Sequence, residues 1–538
     1  MRISVAVILC AWTITVPLDA QTHDHASMET LGSVTFKTSC SPAVQPSFNR
    51  AVALMHSFQF GPAIQGFHSV LAADPTCAIA DWGIALSSWG NPFAGFKSAA
   101  QLEQGRQAVE HGRAITAKTE RERSYLNAVG ELYLASPDLD QSQRLLAYER
   151  SMAALSSAHP EDTEATIFYA LALAAAADPS DKTYARQLKA GALLESLFAK
   201  YPNHPGLAHY IIHAYDEPAL ASRAAVAARR YGEIAPSTPH ALHMPSHTFT
   251  RVGDWQSSIT SNIASAAAAQ SANQPADVMH ASDYMVYAYL QTGQDEAAKR
   301  VVESSARTFL TFDPAHANGA APASAAFFAH AAIPARYCLE RRAWADAAKL
   351  EFSPSPYLFA DAITYFSRGL GAAHLKDGPA ARQAILSLTQ IQDTLAKMKE
   401  DYWAGQIDIQ RREVLAMLSF AENHEGDALA GMRLAAEMED KTQLSSVTPG
   451  PMMPAREMLG DLLFQLNRPA EALKEYEASL LKEPNRFWSL YGAGKSAKRI
   501  GDRLKADRYF HQLVTVAAPA DRPGRQELVE ARDVIAHH

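Results

Sequence analysis

Residues 453–486 read MPAREMLGDLLFQLNRPAEALKEYEASLLKEPNR, and residues 487–520, FWSLYGAGKSAKRIGDRLKADRYFHQLVTVAAPA, repeat the pattern at a period of 34. Leu459-Gly460, Ala472, Tyr476 and Pro484 mark the first stretch. Gly494, Gly501, Ala506 and Phe510 mark the second. Small residues let two helices approach closely, an aromatic fills the gap beneath the next unit, and proline or glycine ends a helix. The pattern predicts antiparallel helix pairs stacked in series. The same frame recurs at 44–77 with Ala51, Leu54, Ala63, Phe67 and Pro75, and further units start at 205, 239 and 279. Weaker ones centre on Asp254-Trp255, Gly293 to Ala297, Ala343 to Ala347 and Asp377 to Ala381, each a short turn followed by an alanine-led helix. No sustained period-two run of β-branched residues signals a strand.

The expected architecture is therefore all-α, a solenoid over 44–521 closed by a capping helix in 522–538. Residues 21–43 are polar and expected to be loose. Pro449, Gly450, Pro451 and Pro454 make 441–454 an irregular insertion placed to fold back over the concave side.

Composition narrows the function. The chain has 538 residues, 49 basic and 57 acidic side chains, and a net charge of −8 without long runs. No basic stripe recommends nucleic acid or an anionic membrane surface. Residues 1–20 read as a secretory leader: Arg2, an apolar run over 3–16, then Leu18-Asp19-Ala20 before Gln21. No later stretch is long and apolar enough to span a membrane. A periplasmic or secreted protein is expected. Of its cysteines, Cys40 and Cys77 flank the open ends of the first helix pair, where an oxidising compartment favours a bridge; Cys338 reads as a small core residue.

Histidines carry the chemistry. Seven of twenty fall within residues 204–280. Counted from Pro205 and Pro239, His209/His213 and His243/His247 take positions five and nine of consecutive units. The i, i+4 spacing aims each pair along one helical face. His240 takes position two. A unit counted from Met279 puts His280 at two, Asp283 at five and Tyr287 at nine. Paired imidazoles can chelate a divalent ion, zinc or copper above others where no cysteine is near. His209, His213, His243 and His247 are expected to share one ion if Pro245 does not break the second pair, with His280 or Asp283 as the next contact. Asp216, Glu217, Asp283, Tyr210 and Tyr284 are candidates to orient the rings. HxxxH lacks the glutamate of the zinc-protease signature, and no nucleophile elbow, phosphate loop or dinucleotide fingerprint is present. His56 reads as a helix-end histidine capping carbonyls.

LMHSFQFGPA (54–63), DPTCAIADWGIAL (74–86), NHPGLAHYIIHAYDEP (203–218), PSTPHALHMPSHTFTRVGDW (236–255) and HASDYMVYAYLQTGQ (280–294) resemble a family of exported bacterial tetratricopeptide-repeat proteins. The resemblance implies fold and export but lends no reaction. It also implies that positions five and nine of each first helix face a concave groove. Two readings follow. One is a binding protein whose groove, lined by His240, His280, Asp283, Tyr284, Tyr287, Asp216 and Glu217, holds a peptide or protein. The other is a metal-binding protein, or a metal-dependent hydrolase or oxidase, using the histidine cluster.

Overall fold

The computed structural model describes residues 29–94, 97–134, 139–317 and 319–537; the expected leader lies outside them. The described residues are helices joined by short turns, with no strand among them. No helix among the described residues is long and apolar enough to cross a membrane. Local chemistry explains the hairpins. Gly253, Gly293, Asn467 and Gly501 take positive φ at the turn inside a pair, ending the first helix in the left-handed conformation. An N-cap or proline then starts the second. Asp254 accepts from Ser257 N ahead of Trp255–Ser271, Asp502 accepts from Lys505 N ahead of Arg503–Val516, and Pro469 opens Pro469–Lys482.

Stacking follows the repeat logic. A Cβ on Gly460 would meet the Tyr476 ring at 2.9 Å, and one on Gly492 would meet the same ring at 2.3 Å. Tyr476 thus fills the space between its own unit and the next. The helices Gln45–His56 and Phe60–Ala73 form the first unit, Pro205–Ala214 and Ala225–Ile234 the unit at 205, and Gln526–Ala536 the terminal cap. The unit expected from 279 starts earlier, because Pro275 opens the helix Pro275–Gln291. The helix expected after Ala343 stops at four residues, Trp344–Ala347, and the chain stays irregular to Leu358. Pro354 and Pro356, which withhold two amide donors, lie in that stretch.

The segment expected to be loose is pinned where it is described. Phe36 is fully buried against Phe48, Trp82 and Tyr125. Ser33 N donates to Asn203 O at 2.9 Å. A Cys40–Cys77 disulfide, Cα atoms 4.9 Å apart, ties this segment to the end of the first pair. Cys338 is free and buried.

Two parts of the chain remote in sequence close on the units that carry the histidines. From the N-terminal side, Tyr231 OH donates to Ser57 Oγ at 3.3 Å and Gln274 Nε2 to Gln59 Oε1 at 2.9 Å. From the C-terminal side, Trp255 Nε1 donates to Asn485 O at 2.9 Å, and Asp521 N to Gly293 O at 3.1 Å. The insertion crosses between them as a strap. Arg251 Nη1 donates to Pro449 O at 2.9 Å, and Arg336 reaches Thr448 Oγ1, Gly450 O and Pro451 O at 2.7, 3.0 and 3.1 Å. The concave side at the histidines is therefore filled by the chain itself.

Candidate metal centre

Three first helices carry the histidines. Pro205 opens Pro205–Ala214 with His209 and His213, and Pro239 opens Pro239–His243 with His240 and His243. Pro245 begins a new helical segment, Pro245–Arg251, but Met244 keeps φ −53° and ψ −34°, so the path stays helical. The second pair is not broken: His247 follows one turn after His243, their Nε2 atoms 3.0 Å apart. His280 lies on Pro275–Gln291.

The four phased histidines do not converge on one point. They divide into two triads, His209/His213/His240 and His243/His247/His280, each offering ligand nitrogens within 4.8 Å of one another. Equivalent positions on neighbouring helices, such as His213 and His247 with ring centres 6.4 Å apart, fall in different sets. The histidine at position two of the following unit reaches back and completes each set. His209 Nε2 lies 3.0 Å from His240 Nε2.

Hydrogen bonds fix the rings from behind. His209 Nδ1 donates to His56 O at 2.6 Å, which a carbonyl can only accept. His243 Nδ1 donates to Asn262 Oδ1 at 2.7 Å, the Asn262 amide being oriented by its own bond to Ser258 O. His247 Nδ1 donates to Asp216 Oδ2 at 2.8 Å, and Asp216 Oδ1 accepts from Arg251 Nε at 3.1 Å. With those protons on Nδ1, the Nε2 atoms of His209, His243 and His247 are the ones turned toward the other rings. His213 Nε2 and His280 Nδ1 are buried without a partner.

Electrostatics keep five of the six rings neutral. Burial, reinforced by neighbouring imidazoles, lowers His213, His240 and His243 far below the usual value and brings His209 and His280 to about 3. Burial pushes Asp216 up, but the Arg251 guanidinium and the hydrogen bonds from Arg251 and His247 outweigh it and lower the carboxyl below its usual value. Neutral imidazole oriented by a carboxylate or carbonyl is the metal-binding form. Aromatic rings wall the set. Phe93 stacks on His213 at 4.3 Å, Tyr231 on His209 at 5.1 Å, and Tyr284 meets His243 and His247 at 4.9 Å each.

Several expected groove residues sit elsewhere. Asp283 is fully buried and pairs with Arg336 at 2.7 Å, so it does not complete either triad. Tyr287 OH donates to Glu483 at 3.0 Å, and Glu217 accepts from Gln443 of the strap. His240, Tyr284 and Glu217 are buried too. None of these lines an open groove, because the strap and the remote ends cover that face. His56 caps no carbonyl with its ring. Its Nε2 meets Glu164 at 2.9 Å, Tyr210 OH donates to its Nδ1 at 3.0 Å, and His204 Nε2 meets the other Glu164 oxygen at 3.0 Å. Burial raises Glu164, but His204 and His56 outweigh it and hold the carboxylate well below its ordinary range. Tyr210 thus braces His56, whose carbonyl holds His209. Sequence reading missed Glu164, Asn262, Arg251 and Phe58. Glu164 and Asn262 share no motif with the histidines, and although Phe58 and Arg251 lie in histidine-bearing segments, packing alone decides which rings they meet.

The expected second shell is testable at Asp216. Asp216→Asn keeps the size but removes the charge that polarises His247, and metal affinity is expected to fall about 10–100-fold. Competitive titration with a coloured chelator measures it; unchanged affinity would remove Asp216 from the site.

The sequence matches no protein-family model and no curated protein. Solved structures similar in fold include the human IFIT1 dimer with PPP-AAAA, with TM-score 0.37, 11% identity, and 90% of this chain and 96% of that chain covered. Others are yeast Tom70, with TM-score 0.35, 9% identity and coverage of 92% and 95%, and the P58(IPK) TPR domain, with TM-score 0.21, 12% identity and coverage of 86% and 99%. At these scores none of them speaks for the ligand or partner of this chain.

Proposed function

We propose that this protein is exported, loses its leader after Ala20, and binds two transition-metal ions, one in each histidine triad. The observation that carries the reading is the contact between His243 and His247. Both rings spend their Nδ1 protons on oxygen acceptors, so two Nε2 lone pairs face each other at 3.0 Å. Such a contact is repulsive unless a cation lies between. A proton there would make an imidazolium among buried rings, with the one charge of Asp216 shared between it and Arg251. Two imidazole nitrogens bound to one ion at about 2.0–2.1 Å stand about 2.9–3.3 Å apart, which matches. All-nitrogen donors favour zinc or copper over magnesium or calcium.

A protein partner is the other reading. Stacked helical repeats in general offer extended surfaces for it. Here it would have to dock away from the histidines, whose side of the solenoid is occupied by the strap.

Elemental analysis of the full chain, loaded with zinc or copper(I) and desalted, is expected to find two ions per chain. His209→Ala should leave one, His243→Ala should leave one, and the double variant none, with helical circular dichroism unchanged. No retained metal in the parent chain would end the proposal, as would a count that the double variant does not lower.

A further inference from the structure

This inference rests on each triad holding an ion. Three observations take it further. The triads abut: His240 and His243 have ring centres 6.1 Å apart and His213 and His247 6.4 Å, each couple spanning the two sets. The donors are six imidazoles with no carboxylate in either set, and Asp216 meets only the Nδ1 of His247, its other oxygen taken by Arg251. Two dications would bring four charges among rings that, His280 apart, are no more than 8% exposed. Monovalent ions halve that cost, and three-coordinate imidazole without an anionic ligand suits copper(I).

The third observation is a cavity of about 20 Å³ beside the first triad, lined by Met55, Phe60, Leu86, Leu171 and Phe58 among others. Phe58 is the shared wall: its ring also packs on His209, His240 and His213 with centres at 4.4, 5.3 and 5.6 Å. Space so small and so apolar offers water few partners and takes apolar atoms instead.

We propose that the two triads form one dinuclear copper centre that binds dioxygen between its ions, and that dioxygen arrives through the cavity behind Phe58. Each copper(I) gives one electron. Dioxygen takes both and becomes bound peroxide with its O–O bond kept, no proton moves, and both ions end as copper(II). The two negative charges of peroxide then offset two of the four positive charges, which supplies the anion the protein donors lack.

The test uses the full chain loaded anaerobically with copper(I), then exposed to dioxygen. Expected are two coppers per chain, a near-ultraviolet absorbance that rises with dioxygen, and an electron paramagnetic resonance spectrum that stays silent after oxidation because the two copper(II) ions are coupled. Leu86→Phe, which fills the cavity without touching a histidine, should slow that rise and leave the copper count unchanged. Two coppers giving separate paramagnetic signals, or no dioxygen-dependent absorbance, would overturn the dinuclear centre while the metal reading stands. An unchanged rate in Leu86→Phe would overturn the cavity route. Absence of bound copper and zinc alike would instead sink the metal reading itself.

Discussion

Arg486→Met should destabilise the protein by about 3–5 kcal/mol, because it strands two carboxylates in the interior. Arg486 is fully buried. Its Nε donates to Glu457 Oε2 at 2.8 Å, and its Nη2 lies 2.6 Å from Glu340 Oε1; neither carboxylate side chain is exposed. Glu457 also accepts from Ser489 Oγ at 2.6 Å, and Arg486 Nη1 donates to Tyr287 OH at 3.2 Å. Tyr287 lies on the helix that carries His280, so this one guanidinium ties the C-terminal repeats to the histidine-bearing unit. Removing it leaves charge that must be protonated or reached by water. Replacing Arg486, Glu340 and Glu457 together by Met, Leu and Leu is expected to recover much of the loss, since no unpaired charge is left. Urea unfolding measures both. A single-variant midpoint equal to the parent's would show that the network contributes nothing.

Asp277→Asn should do the opposite at alkaline pH. Asp277 is buried with its Oδ2 unpartnered, while Oδ1 accepts from Ala320 N and Ala321 N at 3.2 Å each. Burial pushes its carboxyl up to about 7 against two backbone donors that pull it down. With the folded value above the unfolded one, the group's contribution is fully present below the unfolded value near 3.9 and is lost as pH rises through 7. Above that, folding must bury a carboxylate. A neutral amide of the same shape avoids the penalty, worth on the order of 4 kcal/mol at pH 8 for a shift of this size. The gain should be absent at pH 4. Thermal melts at the two pH values decide it; an equal effect at both would mean that packing rather than ionisation sets the difference.

What could be read without the structure is uneven for physical reasons. Local rules place Gly460 against Tyr476, the Pro-led starts at 205, 239 and 469, and the αL turns at Gly253, Gly293 and Gly501. These depend on neighbours within one unit or the next. The i, i+4 pairing of His209 with His213 and of His243 with His247 is equally local, and so it was legible. The missed start at Pro275 concerns where that helix begins and not its phase, since His280 follows His240 by the same 40 residues that separate the turns at Gly253 and Gly293.

The sequence by itself determined the helical repeats, the cysteine pair and the concentration of histidines. Tertiary structure alone decided how those histidines are grouped and whether the groove is open. Grouping depends on which ring crosses the interhelical step, and His240 and His280 cross it while Asp283 turns to Arg336. Openness depends on contacts between residues some 200 apart in sequence, such as Arg251 with Pro449. Repeat periodicity encodes only contacts between neighbours, so neither the closure of the solenoid nor the strap over its histidines is written in it.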